Sequence, residues 1–147
     1  SDTKGLFYGL QTFRQLITSQ NNTLVIPFVE IADSPKFLWR ALMLDEGRYF
    51  KGKEEVKKLL DEMARLKMNT FHWHLTDDQG WRIEVKKYPL LTQEGSWRDF
   101  DEYDKRCVEL SQQDYNYEID PRFVRNGSQY GGHYTLSFIR SSIRIGV

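Results

Sequence analysis

Two short stretches of the sequence concentrate side chains that could bind a ligand or take part in a reaction. The first covers residues 45–50 (DEGRYF), and the second covers residues 72–82 (HWHLTDDQGWR). In the first stretch, the guanidinium of Arg48 presents several hydrogen-bond donors in a fixed fork. Such a fork suits the adjacent hydroxyls of a sugar ring, although a surface ion pair is the commoner role for a lone arginine.

Asp45 and Glu46 form an adjacent acidic pair in the first stretch. Most glycoside hydrolases use two carboxylates, one on either side of the bond that is cleaved, as catalytic residues. Neighbouring residues of a strand, however, point to opposite faces of the sheet. We therefore expect that Asp45 and Glu46 do not act together as acid and base.

The second stretch contains a pair of aspartates and a pair of histidines. Asp77 and Asp78 follow a segment of alternating β-branched and aromatic residues, and ligands of parallel α/β folds bind beyond the carboxyl ends of the strands. This pair is a candidate site, with a turn or capping role as the alternative. His72 and His74 share one face of the predicted strand. They either hold a metal with a nearby carboxylate or pack and hydrogen-bond beside the strand.

The elements that must position these residues form a βαβ unit. Residues 38–45 are a dense apolar run, typical of a strand covered on both faces. Residues 53–67 carry apolar side chains at helical spacing, and residues 70–76 alternate as a strand does. A strand, a helix and a strand in this order predict parallel pairing, a right-handed crossover and an α/β fold.

The flanking sequence contains weaker patterns. Apolar spacing predicts a helix over residues 6–18, and residues 23–31 favour a strand interrupted by a proline. Residues 80–88 favour a short extended segment, and residues 135–145 favour another helix. Residues 99–131 are charged and tyrosine-rich with little periodicity, which predicts a long irregular loop.

The composition excludes several classes of protein. Lys and Arg number 21, as do Asp and Glu, so the formal net charge is zero. A neutral chain disfavours nucleic-acid binding through a general basic field. The single cysteine, Cys107, excludes an intrachain disulfide and a paired-cysteine metal site. No apolar run approaches the ~18 residues of a transmembrane helix.

The two chemical stretches, read with their surroundings, resemble a known family. The sequence LWRALMLDEGRYF (residues 38–50) and the segment that follows it are similar to the start of the catalytic domain of the family 20 glycoside hydrolases, the β-N-acetylhexosaminidases. The likeness runs from about residue 5 to residue 98 and returns at residues 130–135 (YGGHYT). Its most specific string is HWHLTDDQGWR.

The resemblance implies a (β/α)8 TIM barrel, with its sites beyond the carboxyl ends of the strands. Arg48 would bind hydroxyls of a terminal N-acetylhexosamine, and Asp77 and Asp78 would support the site. The family mechanism is substrate-assisted and retaining. The acetamido oxygen of the sugar attacks the anomeric carbon, a glutamate protonates the leaving oxygen, and the neighbouring aspartate orients the acetamide. The resemblance implies no metal and no other cofactor.

The resemblance covers only part of such a domain. Residues 1–37 would join a preceding small domain to the barrel, and residues 38–147 would hold its first two βα units. The glycine-rich segment that precedes the family's catalytic Asp-Glu pair has no counterpart in the sequence. No catalytic residue is therefore assigned, and the chain alone is predicted to be inactive. The open sheet edges of a partial barrel predict self-association.

The expected partner is a glycan that contains N-acetylhexosamine, rather than a nucleic acid or a membrane. Two alternatives to a hydrolase fragment stay open at this point. One is a non-catalytic sugar-binding or interaction remnant, and the other is a metal-dependent hydrolase that uses His72 and His74. The resemblance also implies an extracytoplasmic location, periplasmic or secreted.

Overall fold

The fold is built around two parallel strands and the helix that connects them. The computed structural model describes residues 3–115 and 119–145 of the chain. Within these ranges the strands are short and form four small sheets. In chain order, the elements are α1 (Thr3–Leu16), β1 (Thr18–Gln20), β2 (Thr23–Val25), β3 (Ala41–Asp45), α2 (Lys53–Arg65), β4 (Thr70–His74), β5 (Thr76–Asp77), β6 (Gly80–Trp81), α3 (Leu90–Gln93), β7 (Trp97–Asp99), α4 (Glu102–Tyr115), a 3₁₀ helix (Pro121–Phe123), β8 (Val124–Arg125), β9 (Gln129–Gly131) and α5 (Leu136–Ile145).

Strands β3 and β4 pair in parallel, as the sequence predicts. Ala41 lies opposite Thr70 at one end of the pairing, and Asp45 lies opposite His74 at the other. Helix α2 connects the two strands. The predicted parallel βαβ unit and the α/β fold class are therefore confirmed. The carboxyl ends of both strands lie side by side, so the loops that follow them start from the same edge.

Helix α2 forms because its apolar and charged residues are placed as a surface helix requires. Val56 and Met63 are buried on its inner side, seven residues apart, which is two helical turns. Glu54 and Glu55 lie in the first turn and Arg65 lies in the last, so these charges complement the helix dipole. The helix predicted over residues 53–67 is confirmed to within two residues at its end.

The two faces of the β3–β4 pair differ in burial. Leu44, Phe71 and Trp73 pack against a core formed by Phe50, Val56, Tyr130 and Tyr134. On the opposite face, Met43 retains 54% of its exposure, and His72 beside it is also exposed. The expectation that the run 38–45 is covered on both faces is therefore wrong in this structure. The strand starts only at Ala41, and one of its faces carries no packed layer within the described residues.

The segment expected to be an irregular loop, residues 99–131, contains regular structure. Helix α4 occupies 14 of its residues, and β9 pairs with both β7 and β8 in an antiparallel sheet. The Asp101 carboxylate accepts a hydrogen bond from the Asp104 backbone amide at 2.8 Å, an N-terminal cap for α4. The prediction was wrong because this helix depends on local capping rather than on an apolar stripe.

The N-terminal elements match the sequence patterns in part. Helix α1 confirms the helix predicted over residues 6–18. Asn21 and Asn22 take φ angles of 49° and 61°, as a two-residue turn between antiparallel strands requires. They connect β1 to β2. The strand predicted over residues 23–31 is wrong beyond β2, because residues 26–31 form no regular element.

The remaining short predictions have mixed outcomes. Of residues 80–88, only β6 and an isolated bridge between Ile83 and Tyr134 are extended, so the predicted extended segment is confirmed in part. Helix α5 confirms the helix predicted over residues 135–145. In the part of the chain that the structure covers, the helices are too short or too polar to cross a bilayer.

Candidate functional site

Arg48 lies just beyond the carboxyl end of β3, held by the last residue of that strand. The Asp45 carboxylate accepts a hydrogen bond from the Arg48 backbone amide at 3.1 Å and another from Nη1 of its guanidinium at 2.8 Å. The guanidinium is nevertheless open to solvent, with 63% of the side chain exposed. The fork is therefore held through one of its terminal nitrogens and remains accessible to a ligand.

The loop after β4 brings a second carboxylate to the same place. Asp77 Oδ2 lies 3.9 Å from Nη2 of Arg48 and 3.1 Å from Nε2 of His74. The two loops approach closely at Gly47, where a Cβ atom would lie 3.0 Å from Cβ of Asp77 and would require a small shift of that residue. The structure thus brings Arg48 and Asp77 together, as the sequence expectation places them.

Asp78 has a different setting from Asp77. Its side chain is exposed, and its backbone amide donates a hydrogen bond to Oδ1 of Asp77 at 2.8 Å. This backbone hydrogen bond is the main cause that lowers the pKa of Asp77 below its ordinary value, with additional contributions from His74 and Arg48. The Asp77 carboxylate is therefore held by the Asp78 amide and lies beside the side chains of His74 and Arg48, while Asp78 contributes chiefly its main chain.

Asp45 and Glu46 diverge, as the alternation of strand side chains predicts. Asp45 faces Arg48, whereas Glu46 has 0% exposure and lies in the core. Glu46 Oε2 accepts hydrogen bonds from the Tyr134 hydroxyl at 2.7 Å and from the Lys51 backbone amide at 3.0 Å. Burial raises the pKa of the Glu46 carboxyl above its ordinary value, and the hydrogen bond from Tyr134 opposes this effect.

Two further arginines contact the loop that carries Arg48, and the sequence reasoning assigned no role to either. Arg82 is fully buried behind the loop. Arg98 donates from Nη2 to the Arg48 carbonyl oxygen at 3.1 Å and forms an ion pair with Asp104 of α4. Arg82 ends the string HWHLTDDQGWR, which is mostly polar, so no local signal marks this arginine as buried.

The two histidines of β4 lie on one face, as predicted. Their rings are 6.4 Å apart between centroids and nearly parallel, and Nε2 of His74 also lies 3.1 Å from the Thr76 carbonyl oxygen. Within residues 3–115 and 119–145, no group of three or more His, Cys, Asp or Glu side chains is arranged to hold a metal ion. A catalytic zinc site takes three protein ligands, so the described residues give the metal-dependent alternative no support.

The cluster of Asp45, His74, Asp77 and Arg48 can bind a polar ligand through hydrogen bonds. The guanidinium is a fixed donor, and the two carboxylates are acceptors beside it. Vicinal hydroxyls both donate and accept, so they match such a set. The fold and this cluster define an α/β protein with a candidate binding site for a polar ligand at the carboxyl ends of its parallel strands.

Comparison with models of known protein families assigns this chain to a family. The model of the glycosyl hydrolase family 20 catalytic domain matches residues 37–144. The chain therefore belongs to glycoside hydrolase family 20, and the resemblance seen in the sequence is confirmed.

Individual relatives agree with this assignment. A β-hexosaminidase of Vibrio furnissii is 39% identical over 139 residues, which cover 95% of this chain and 20% of the relative. An N,N'-diacetylchitobiase of Vibrio harveyi is 43% identical over 107 residues, covering 73% of this chain and 12% of the relative. A solved exo-β-N-acetylglucosaminidase of Vibrio harveyi, in complex with N-acetylglucosamine, superposes with a TM-score of 0.68 at 37% identity, covering 97% of this chain and 20% of that one. The chain thus spans a fifth or less of the length of these relatives.

Proposed function

We propose that this chain contributes the first part of the catalytic domain of an exo-acting β-N-acetylhexosaminidase. The substrate would be a glycan with a terminal, non-reducing N-acetylhexosamine, cleaved with retention through the acetamido group of the substrate itself. Arg48 binds hydroxyls of that sugar, Asp77 holds the site in place, and the Asp78 main chain supports Asp77. The observation that carries the proposal is the exposed Arg48 fork fixed between two carboxylates beyond parallel strands.

The proposed architecture is a (β/α)8 barrel, of which β3, α2, β4 and α5 are the first two βα units. Residues 1–37 are the lead-in from a preceding small domain, and residues 38–147 are the partial barrel. Several facts support this. The strands are parallel, the site lies at their carboxyl end as in TIM barrels, and one face of the β3–β4 pair, with Met43 and His72, stays exposed. In a closed barrel this face would line the interior.

Sugar binding tests the role of Arg48 directly. We expect N-acetylglucosamine to bind the chain weakly, detected by saturation-transfer NMR on its acetamido methyl group. The variant Arg48→Ala should weaken binding about tenfold or more, as expected for losing hydrogen bonds from a charged donor. The control Arg65→Ala removes an exposed arginine that pairs with Glu62 on α2 and should leave binding unchanged. Equal binding by Arg48→Ala and the unmodified chain would contradict the proposal.

Hydrolysis separates the proposal from its alternative, a non-catalytic sugar-binding remnant. The measurement is release of p-nitrophenol from p-nitrophenyl N-acetyl-β-glucosaminide by the gene product isolated from its source cells, together with its intact mass. We expect activity in a product several-fold heavier than 17.5 kDa, and none from the chain alone. A product of about the mass of this chain that binds the sugar without cleaving it would establish the remnant instead.

A further inference from the structure

The side chain of Arg82 donates hydrogen bonds to the main chain of the loop that carries Arg48. Its side chain is fully buried. Nε donates to the carbonyl oxygen of Glu46 at 2.8 Å, and Nη2 donates to the carbonyl oxygen of Gly47 at 3.1 Å. Both carbonyls belong to residues directly before Arg48. The guanidinium therefore holds the two successive peptide groups that lead into the proposed sugar-binding residue.

These contacts fix the direction in which the Arg48 side chain leaves the backbone. The peptide group between Gly47 and Arg48 is held at both ends: its oxygen accepts from Arg82, and its N–H donates to Asp45 Oδ1 at 3.1 Å. The preceding peptide is also held, since the Gly47 amide donates to the His74 carbonyl oxygen at 3.1 Å. The peptide that follows Arg48 is held as well, since the Arg48 carbonyl oxygen accepts from Nη2 of Arg98 at 3.1 Å. The planar peptide groups on both sides of the Arg48 Cα are therefore restrained, and with them the direction of its Cα–Cβ bond.

The other end of the Arg82 guanidinium is anchored away from the loop. Nη1 donates to the carbonyl oxygens of Ser96 and Gly132. Ser96 is fully buried and precedes β7, and Gly132 is buried just after β9. Because four backbone carbonyls share one planar fork, movement of the loop relative to the β7–β9 sheet would break several hydrogen bonds together. A lysine has one nitrogen and cannot reach all four oxygens.

We propose that Arg82 is a positioning residue for Arg48. Through the Glu46 and Gly47 carbonyls it sets the geometry with which the Arg48 fork meets the sugar, while Arg82 itself touches no substrate. This inference rests on the proposed function only in taking Arg48 as the sugar-binding arginine.

Amide hydrogen exchange tests the positioning itself, without any sugar. The variant is Arg82→Lys, which keeps a positive charge and removes the fork. We expect the amides of Glu46, Gly47 and Arg48, which are hydrogen-bonded, to exchange about tenfold faster, while the amides of α2 change little. The matched control Arg122→Lys alters an exposed arginine paired with Asp120. Unchanged exchange in the loop overturns the proposal, and faster exchange throughout α2 as well shows a purely structural role, which also overturns it.

A double-mutant cycle tests the link to Arg48. The N-acetylglucosamine affinity is measured for Arg82→Lys, Arg48→Ala and the double variant, each checked for folding by circular dichroism. If Arg82 acts through Arg48, Arg82→Lys weakens binding several-fold alone but adds almost nothing in the Arg48→Ala background. Additive losses would overturn the proposal. A lack of any effect of Arg48→Ala would refute the proposed function instead, and the hydrogen-exchange result would still decide whether Arg82 holds the loop.

Discussion

Replacing Glu46 by glutamine should change how the stability of the chain depends on pH. Glu46 is fully buried, and one of its carboxylate oxygens, Oε1, has no hydrogen-bond partner within the described residues. Burial raises the pKa of this carboxyl above its ordinary value of 4.5. In the unfolded chain the same carboxyl is exposed to water and ionises near that ordinary value. The native state therefore holds a proton that the unfolded state has already released.

The direction of the effect follows from proton linkage. Well below pH 4.5 the carboxyl is protonated in both states and does not disfavour folding. As the pH rises from there through the pKa of the folded state, the native state binds more protons than the unfolded state, so the free energy of unfolding falls. One proton gives a slope of at most about 1.4 kcal/mol per pH unit. Above the folded pKa the loss is complete and constant.

The assay compares the unmodified chain with Glu46→Gln by urea unfolding, followed by tryptophan fluorescence, between pH 4 and pH 8. The amide of glutamine keeps an oxygen to accept from Tyr134 and Lys51, and it does not ionise. We expect the variant to gain stability relative to the unmodified chain as the pH rises through the window that begins near 4.5. Glu55→Gln, at an exposed position paired with Lys58, reports the effect of the same change at the surface. Parallel stability curves for Glu46→Gln and the unmodified chain would refute the reasoning.

Two further predictions concern the backbone and the surface. Gly52 has a φ angle of 82°, and a Cβ atom there would lie 2.2 Å from Cζ of Phe123. Gly52→Ala should therefore lower the free energy of unfolding in urea by about 2 kcal/mol or more, and an unchanged unfolding midpoint would contradict this. Phe28, Leu38 and Trp39 keep 109%, 86% and 74% of their exposure, so we expect sedimentation velocity to show concentration-dependent association of the chain. Leu38→Lys should reduce the association, and a single concentration-independent monomer peak from the unmodified chain would count against it.

The sequence predicts the central elements well because their signals are local and strong. The stripe with Val56 and Met63 at its centre is enough to predict α2, and the apolar and alternating runs on either side are enough to predict the parallel pairing of β3 with β4. The placement of Arg48 and Asp77 follows from that topology alone, since both come directly after paired parallel strands. The parallel pairing is confirmed, whereas the roles of both residues stay predictions.

The parts that sequence reasoning missed depend on contacts between distant residues. Helix α4 has no apolar stripe to reveal it, and its start is held by the Asp101 cap and by the ion pair of Asp104 with Arg98. The short strands β7, β8 and β9 lack a length or alternation that would distinguish them from a loop. The burial of Arg82 depends on the carbonyls of Ser96 and Gly132, residues whose position beside it no local pattern encodes.

Between Asp45 and Arg48, some residues pack in the core and others lie at the candidate site. A substitution in this run can therefore affect sugar binding in more than one way. Asp45 orients the Arg48 fork, Glu46 lies in the core with Tyr134, and Gly47 allows Asp77 to approach. Because Arg82 binds the main-chain oxygens of this run rather than its side chains, a change to the Asp45 side chain leaves the hydrogen bonds of Arg82 in place. A loss of sugar binding on substituting Asp45 would thus reflect a reoriented Arg48 fork, whereas a loss on substituting Arg82 would reflect a displaced loop. Hydrogen exchange of the Gly47 amide distinguishes the two causes, because it becomes faster only when the loop is displaced.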